Sequence, residues 1–100
     1  MNVRWLIEAL RDLQGIRDYI AQDHPDTARE FVVELFDSVT GQLQEFPRLG
    51  RIVPEKGDSV FREIIHGNYR IMYRIANNEV EVQAVIHSKR LYKEIHDRHK

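Results

Sequence analysis

Arg70 and His87 are the residues whose types and predicted positions could do chemistry in this 100-residue chain. A β-hairpin closed by Asn77-Asn78 would place Arg70 opposite Val85, with His87 as a diagonal neighbour and no acidic residue facing it. A guanidinium without a carboxylate partner, beside an imidazole, suits the binding of an anion such as phosphate. This pair therefore predicts an anion-binding or contact site.

The sheet that would position these side chains is predicted in the C-terminal half of the chain. The segments Phe61–Ile65, Tyr69–Ile75 and Glu79–Ile86 alternate apolar and polar residues with the period of two that β-strands show. The last two are separated by Asn77-Asn78, and asparagine tolerates the positive φ angles of a type I′ turn. This pattern predicts three strands in antiparallel order.

The register set by the Asn77-Asn78 turn predicts an apolar face that meets the helices. The pairs on this face are Ile75 with Val80, Tyr73 with Val82, Ile71 with Ala84 and Tyr69 with Ile86. On the opposite face Met72 lies across from Gln83, and Arg74 lies across from Glu81, where an ion pair is expected. The two tyrosines, and Trp5 near the N-terminus, are therefore interpreted as core residues.

The register of Phe61–Ile65 depends on the length of the loop that follows it. A three-residue loop puts Phe61 in the core and Arg62 on the face of Arg70. A two-residue loop turns every side chain over and puts Glu63 on the Arg70 face instead. The three-residue loop is preferred because it buries Phe61.

The N-terminal half predicts a short strand over Asn2–Leu6 and two amphipathic helices. Pro25 suits the first position of the second helix, which ends before Pro47. Apolar residues recur at intervals of three or four in both helices, at Ile7, Leu10, Leu13, Ile16 and Ile20 in the first and at Ala28, Phe31, Val32, Leu35, Val39, Leu43 and Phe46 in the second. The short break between the helices predicts an antiparallel helical hairpin.

The predicted fold class is α+β. The element order is β-α-α-β-β-β, followed by a short helix over Leu91–His99. The helical hairpin is expected to pack on one face of an antiparallel sheet. A chain of this length is expected to form one domain over residues 1–100.

Composition removes several function classes. The chain has no cysteine, so thiolate metal sites, disulfides and cysteine nucleophiles are excluded. His96 and His99 have a metal-like spacing but lack further ligands, and neither a metal nor a cofactor is expected. The first residues do not resemble a signal peptide, and no apolar run approaches membrane length, so a cytoplasmic protein is expected.

The charge is unevenly distributed although the net charge is only −1. Residues 1–58 carry 7 Lys/Arg and 11 Asp/Glu, whereas residues 59–100 carry 8 and 5. The chain is therefore not a polycation that binds nucleic acid by bulk electrostatics, but its C-terminal half could present a basic surface.

Several motifs, taken in order, identify a family. They are the helical hairpin with Pro25 between its helices, the loop Phe46-Pro47-Arg48-Leu49-Gly50-Arg51, the segments Phe61-Arg62-Glu63-Ile64 and Asn68-Tyr69-Arg70-Ile71-Met72-Tyr73, and the ending His87-Ser88-Lys89-Arg90. Together they resemble the RelE/ParE superfamily, the toxins of bacterial type II toxin–antitoxin systems. The resemblance implies a toxin linked to plasmid stabilization and held inactive by a cognate antitoxin in a hetero-oligomer.

RelE-like members are ribosome-dependent endoribonucleases that cut mRNA. For this chain the resemblance would imply that Arg70 and Arg90 hold the phosphate and that His87 is the general acid. The sequence departs from that pattern, because Phe61-Arg62-Glu63 stands in place of a lysine-bearing strand and His96 falls near the expected C-terminal tyrosine. Glu63 as a general base would restore the scheme only with the two-residue loop.

ParE-like members block DNA gyrase, and this branch fits the chain better. The long helices, the Pro-x-x-Gly-Arg loop and the His-x-x-Arg ending resemble it, and the near-neutral net charge suits a protein target. The resemblance then implies a contact surface without chemistry, formed by Arg62, Arg70, His87, Lys89 and Arg90.

A third hypothesis is an inactive relic that binds only its antitoxin. In every case the antitoxin is expected to cover apolar surface on the helices or an open sheet edge.

Overall fold

The computed structural model describes residues 1–54 and 60–88. Within these ranges the chain forms two helices and five strands. They are β1 (Asn2–Trp5), α1 (Ile7–Ala21), α2 (Pro25–Glu45), β2 (Arg51–Ile52), β3 (Phe61–His66), β4 (Tyr69–Ala76) and β5 (Glu79–His87). The helix predicted over Leu91–His99 lies outside the described residues. Among the helices that are described, none has the length and apolar character needed to cross a membrane.

Helix α1 covers the sheet with a narrower stripe than its sequence predicts. Ala9 and Leu13 are buried and Ile16 packs beside them, whereas Ile7 and Leu10 are exposed. At 100° per residue, Ala9, Leu13 and Ile16 share one side of the helix and Leu10 lies on its flank. The core therefore includes a small residue, Ala9, that lets the helix approach the sheet closely.

Helix α2 begins with Pro25 at its first turn, as predicted. Its buried residues, Ala28, Leu35, Val39 and Leu43, recur at the spacing of one helix face. Phe46 follows the end of the helix and is exposed, so it does not continue the stripe.

The sheet has the strand order β1-β5-β4-β3-β2. Strand β1 runs parallel to β5, and the other neighbours are antiparallel. The α+β class and the predicted element order are confirmed, with β2 as an additional short strand and with a sheet that is mixed because β1 joins its edge in parallel. The two helices carry the chain from β1 at one edge of the sheet to β2 at the other, and β5 takes its place beside β1 only after β2, β3 and β4.

The turn between β4 and β5 has the predicted conformation. Asn77 and Asn78 have φ angles of 54° and 60°. Ile75 pairs with Val80 and Arg74 with Glu81, as the two-residue turn requires.

The loop between β3 and β4 is shorter than predicted. His66 pairs with Tyr69, so the loop contains only Gly67 and Asn68, and the preferred three-residue loop is wrong. Gly67 has a φ of +58°, at the position where a two-residue hairpin loop favours glycine. The shorter loop turns over every side chain of β3 and places Glu63 on the face of Arg70.

A β-bulge interrupts the pairing of β4 with β5 between Met72 and Tyr73. Tyr73 pairs with Val82, but Met72 pairs with Ala84, so Gln83 is the extra residue. Beyond the bulge, Ile71 pairs with Val85, Arg70 with Ile86 and Tyr69 with His87. The predicted pairings of these residues and of Met72 are therefore wrong by one position.

The bulge and the short loop give the sheet two buried faces. The face toward the helices packs Ile64, Ile71, Tyr73, Val80, Val82 and Val85 against α1 and α2. The opposite face, called the outer face below, holds a second apolar cluster of Val53, Met72, Ala84 and Ile86 with Phe61 beside it. Ala84, Ile86 and Phe61 were predicted to face the helices and do not.

Candidate functional site

Arg70 lies on the outer face and is paired with Glu63. Its Nε and one terminal nitrogen donate to Oε1 of Glu63 at 2.8 and 2.5 Å, and only 6% of the residue is exposed. The prediction that Arg70 lacks a carboxylate partner is wrong. The reason is the two-residue loop, which brings Glu63 to this face.

Glu63 is shared between two arginines. Arg51 on β2 donates to its other oxygen, Oε2, from Nε at 2.8 Å and from a terminal nitrogen at 2.6 Å. The Glu63 side chain is fully buried, so its charge needs both guanidiniums in place of water. The Arg51–Glu63–Arg70 group is called the buried triad below.

A second group of the same kind lies nearer β1. Arg74 donates to Oε1 of Glu81 at 2.7 Å, as predicted, and Arg4 donates to Oε2 at 2.5 Å. Arg4 also bonds Glu79 at 2.9 Å. The hydrogen bond from Arg74, with the charges of Arg74 and Arg4, lowers the pKa of Glu81.

Arg62 lies on the helix-facing side, across from Tyr73, and not on the face of Arg70 as predicted. Its guanidinium donates to the carbonyl oxygens of Gly50, at 2.8 Å, and Arg48, at 3.4 Å. It therefore holds the loop that leads into β2.

Tyr73 holds the same loop through its hydroxyl group. Its buried hydroxyl accepts a hydrogen bond from the amide of Gly50 at 2.9 Å, and burial raises the pKa of the phenol. A Cβ atom at Gly50 would lie 2.6 Å from the Glu63 carbonyl oxygen and 2.8 Å from the Tyr73 ring. The glycine of the Pro-x-x-Gly-Arg loop is thus required by close packing.

His87 belongs to an aromatic cluster on the helix-facing side. Its ring meets that of Tyr69 edge-on at 5.6 Å, and Tyr69 packs on Phe31 of α2 at 5.7 Å. His66 lies 6.3 Å from the same phenylalanine ring. Tyr69 and Tyr73 are thus packed with the core, as predicted.

The predicted site residues do not form one surface. Arg70 lies on the outer face, whereas Arg62 and His87 lie on the other side of the sheet. Lys89 and Arg90 lie outside the described residues, so their part in a site stays a prediction. In the described part of the chain, no group of three or more histidine or acidic residues could hold a metal ion.

Sequence reasoning gave too little weight to Glu63 and missed Arg51 and Arg4. Gly67 indicated a possible two-residue loop, and that loop would place Glu63 on the face of Arg70. Arg51 and Arg4 carried no comparable signal. Arg51 lies on a strand of only two residues, and Arg4 meets Glu81 through the pairing of strands that are distant in sequence.

The fold is shared with chains of two solved toxin–antitoxin assemblies. The structure of a chromosomal ParDE system from P. aeruginosa superimposes with a TM-score of 0.75 at 20% identity, covering 87% of this chain and 95% of that one. The toxin–antitoxin complex RelBE2 from Mycobacterium tuberculosis gives a TM-score of 0.62 at 23% identity, covering 86% and 88%.

Sequence comparison identifies the family. Residues 3–92 match the model of the ParE toxin of the type II toxin–antitoxin system parDE, and the chain belongs to this family. The protein Y4kP of Sinorhizobium fredii is 35% identical over 94% of this chain and 95% of its own length. Toxin RelE2 of Caulobacter vibrioides is 33% identical over 90% of this chain and 98% of its own length. The chain is therefore a type II toxin of the RelE/ParE superfamily.

Proposed function

We propose that this toxin acts by binding DNA gyrase, without cleaving RNA, and that a cognate antitoxin neutralises it. The match of residues 3–92 to the ParE toxin family carries the proposal, because ParE-like members block gyrase, and the buried triad argues against RNA cleavage. Ribonuclease chemistry needs a base for the 2′-hydroxyl and cations that reach the phosphate as its charge grows. Glu63 is fully buried with both oxygens bonded to arginines, and Arg70 is directed at that carboxylate.

The antitoxin partner is supported by the two structural neighbours, which belong to a ParDE toxin–antitoxin system and to a RelBE2 toxin–antitoxin complex. A groove of about 470 Å³ between α1 and α2 offers apolar surface for such a partner. Its lining includes Leu13, Val32, Val33 and Phe36 between Arg17 and Asp37.

Ribosome-dependent mRNA cleavage is the second candidate function. One observation favours it: the observed register places Glu63 beside Arg70, where a general base would be needed. The relative RelE2 is also similar along nearly its whole length.

Two assays on the purified chain separate these functions. We expect inhibition of supercoiling by DNA gyrase and no cleavage of mRNA on translating ribosomes. Cleavage without inhibition of gyrase would reject the proposal. A chain that neither arrests growth on expression nor acts in either assay would be the inactive relic.

The variant Glu63→Gln distinguishes a catalytic role of this carboxylate from a structural one. A general base loses its function in this variant, whereas a structural carboxylate affects only the folded fraction. We expect inhibition of gyrase per folded molecule to be retained. Selective loss of mRNA cleavage, with the folded fraction measured by circular dichroism, would assign Glu63 to catalysis.

A further inference from the structure

Residues 46–50, which connect α2 to β2 and are called the 46–50 loop below, are fixed by hydrogen bonds of their backbone. The Leu49 amide donates to the carbonyl oxygen of Phe46 at 3.0 Å, and the Gly50 amide donates to the Tyr73 hydroxyl at 2.9 Å. The Arg62 guanidinium donates to the Gly50 carbonyl oxygen at 2.8 Å. The conformation of this loop is therefore set by its own turn and by two strands of the sheet.

Two large apolar side chains of this fixed loop are exposed. Phe46 has 57% of its surface exposed and Leu49 has 53%, and the turn hydrogen bond holds the two residues together. A group that is already held in one conformation loses little entropy when a partner covers it. Aromatic anchors in particular contribute much of the binding energy of protein interfaces. The 46–50 loop therefore has the properties of a protein contact surface.

The segment that contains this loop differs in charge from the helices. Residues 46–54 contain Arg48 and Arg51 and no acidic residue. Arg51 shares Glu63 with Arg70, so the buried triad keeps one positive charge. The two helices together contain 3 Lys/Arg and 8 Asp/Glu, a net charge of −5. Because interfaces are complementary in charge, the loop fits an acidic partner and the helices do not.

The 46–50 loop is also separate from the apolar groove between the helices. Asp37 is the lining residue of that groove nearest to the end of α2, and Phe46 follows nine residues later. At a rise of 1.5 Å per residue, this is about 14 Å along the helix. A partner in the groove and a partner on the loop therefore use different surfaces.

We propose that the 46–50 loop is the surface through which the toxin binds gyrase, with Phe46 and Leu49 covered by an apolar pocket on an acidic face of that enzyme. The inference rests on the proposed function and names the part of the chain that performs it. The groove between the helices, with its different charge, is left to the antitoxin.

The test compares Leu49→Glu with Leu49→Lys in the supercoiling assay, because both variants remove the apolar side chain and introduce opposite charges. We expect half-maximal inhibition to need about tenfold more of Leu49→Glu than of the unmodified chain, as for the loss of one buried apolar side chain. Leu49→Lys should inhibit more strongly than Leu49→Glu, because its charge is attracted by an acidic face.

The matched controls are Ile7→Glu and Ile7→Lys. Ile7 is 59% exposed and begins α1, and we expect both variants to inhibit as the unmodified chain does. Circular dichroism gives the folded fraction of each variant, and inhibition is compared per folded molecule.

The outcomes separate this inference from the proposed function. Failure of the unmodified chain to inhibit gyrase would overturn the proposed function and this surface with it. If the unmodified chain inhibits, full activity of Leu49→Glu or an equal loss in Ile7→Glu would overturn the surface alone. Equal losses in Leu49→Glu and Leu49→Lys would overturn the acidic face of the partner.

Discussion

Glu63 joins three strands through its side chain. It lies on β3 and accepts hydrogen bonds from Arg70 on β4 and Arg51 on β2. Arg70 is nearly as buried as the carboxylate, whereas Arg51 has 62% of its side chain exposed. Removing the glutamate charge would therefore take from the buried Arg70 a carboxylate that it contacts through two nitrogens.

We expect Glu63→Gln to lower the free energy of unfolding by about 3 kcal/mol, because one member of a buried ion pair is lost. Glu79→Gln is the matched control. Its partner Arg4 is half exposed, so we expect this variant to lose about 1 kcal/mol or less of its free energy of unfolding. Urea denaturation of both variants provides the measurement, and equal losses would contradict the structural role of the triad.

The close packing around Gly50 leads to a second prediction about a single residue. A methyl group there would overlap the Glu63 carbonyl oxygen and the Tyr73 ring, so Gly50→Ala should destabilise by about 1–3 kcal/mol. Gly41→Ala in α2 is the control, because a Cβ atom there has no neighbour within 4 Å and alanine favours a helix by up to about 1 kcal/mol. In thermal denaturation, the melting temperature should therefore fall for Gly50→Ala and rise for Gly41→Ala.

At the scale of elements, two short turns and one bulge decide which side chains share a face. The Asn77-Asn78 turn fixes the near end of the β4–β5 hairpin, and the bulge at Gln83 shifts its far end by one residue. The Gly67-Asn68 loop sets the register of β3 against β4. Together they put Arg70 and Glu63 on one face and His87 on the other.

The β4–β5 turn can be tested directly. Asn78 has a φ of 60°, a conformation in which a β-branched residue is strained. We expect Asn78→Val to destabilise by about 1–2 kcal/mol, and Asn78→Gly to cause no loss. The measurement is the free energy of unfolding from chemical denaturation. Equal stability of the valine and glycine variants would contradict the observed turn.

At the scale of the whole molecule, ion pairs connect the sheet from one edge to the other. Arg4 on β1, Glu81 on β5 and Arg74 on β4 form one group, and the buried triad continues through β4 and β3 to β2. Both groups lie on the outer face with the apolar cluster around Met72. Stability should therefore depend on the ionisation of Glu81, whose pKa is lowered.

The lowered pKa of Glu81 gives the sign of that dependence. The unfolded chain takes up a proton on this carboxyl near its ordinary value of 4.5, whereas the folded chain does so only at lower pH. The resulting stability is present above that value and is lost as the pH falls through the folded-state pKa. We expect the urea midpoint to fall between about pH 5 and pH 2. Glu81→Gln should reduce this pH dependence, and an unchanged slope in the variant would reject the contribution of Glu81.

The sequence by itself determined the features that rest on local pattern. The helices, the strand segments and the Asn77-Asn78 turn follow from periodicity and turn chemistry, and Tyr73 is buried as its parity predicts. The resemblance to the RelE/ParE superfamily rested on such motifs and is confirmed by the family match. The predicted register leaves Arg70 without a carboxylate partner, and this prediction is wrong because Arg70 bonds Glu63.

Only the tertiary structure decided which charges meet. The side-chain period of a strand is two, so one extra residue at Gln83 or one fewer in the loop at Gly67 reverses a whole face. The Gly67-Asn68 pair is a local signal for a two-residue loop, whereas the extra residue at Gln83 carries none. The partner of Arg70 was therefore fixed by register, and the encounter of Glu63 with Arg51 by the pairing of β3 with β2, a strand of two residues that is too short to show a period in the sequence.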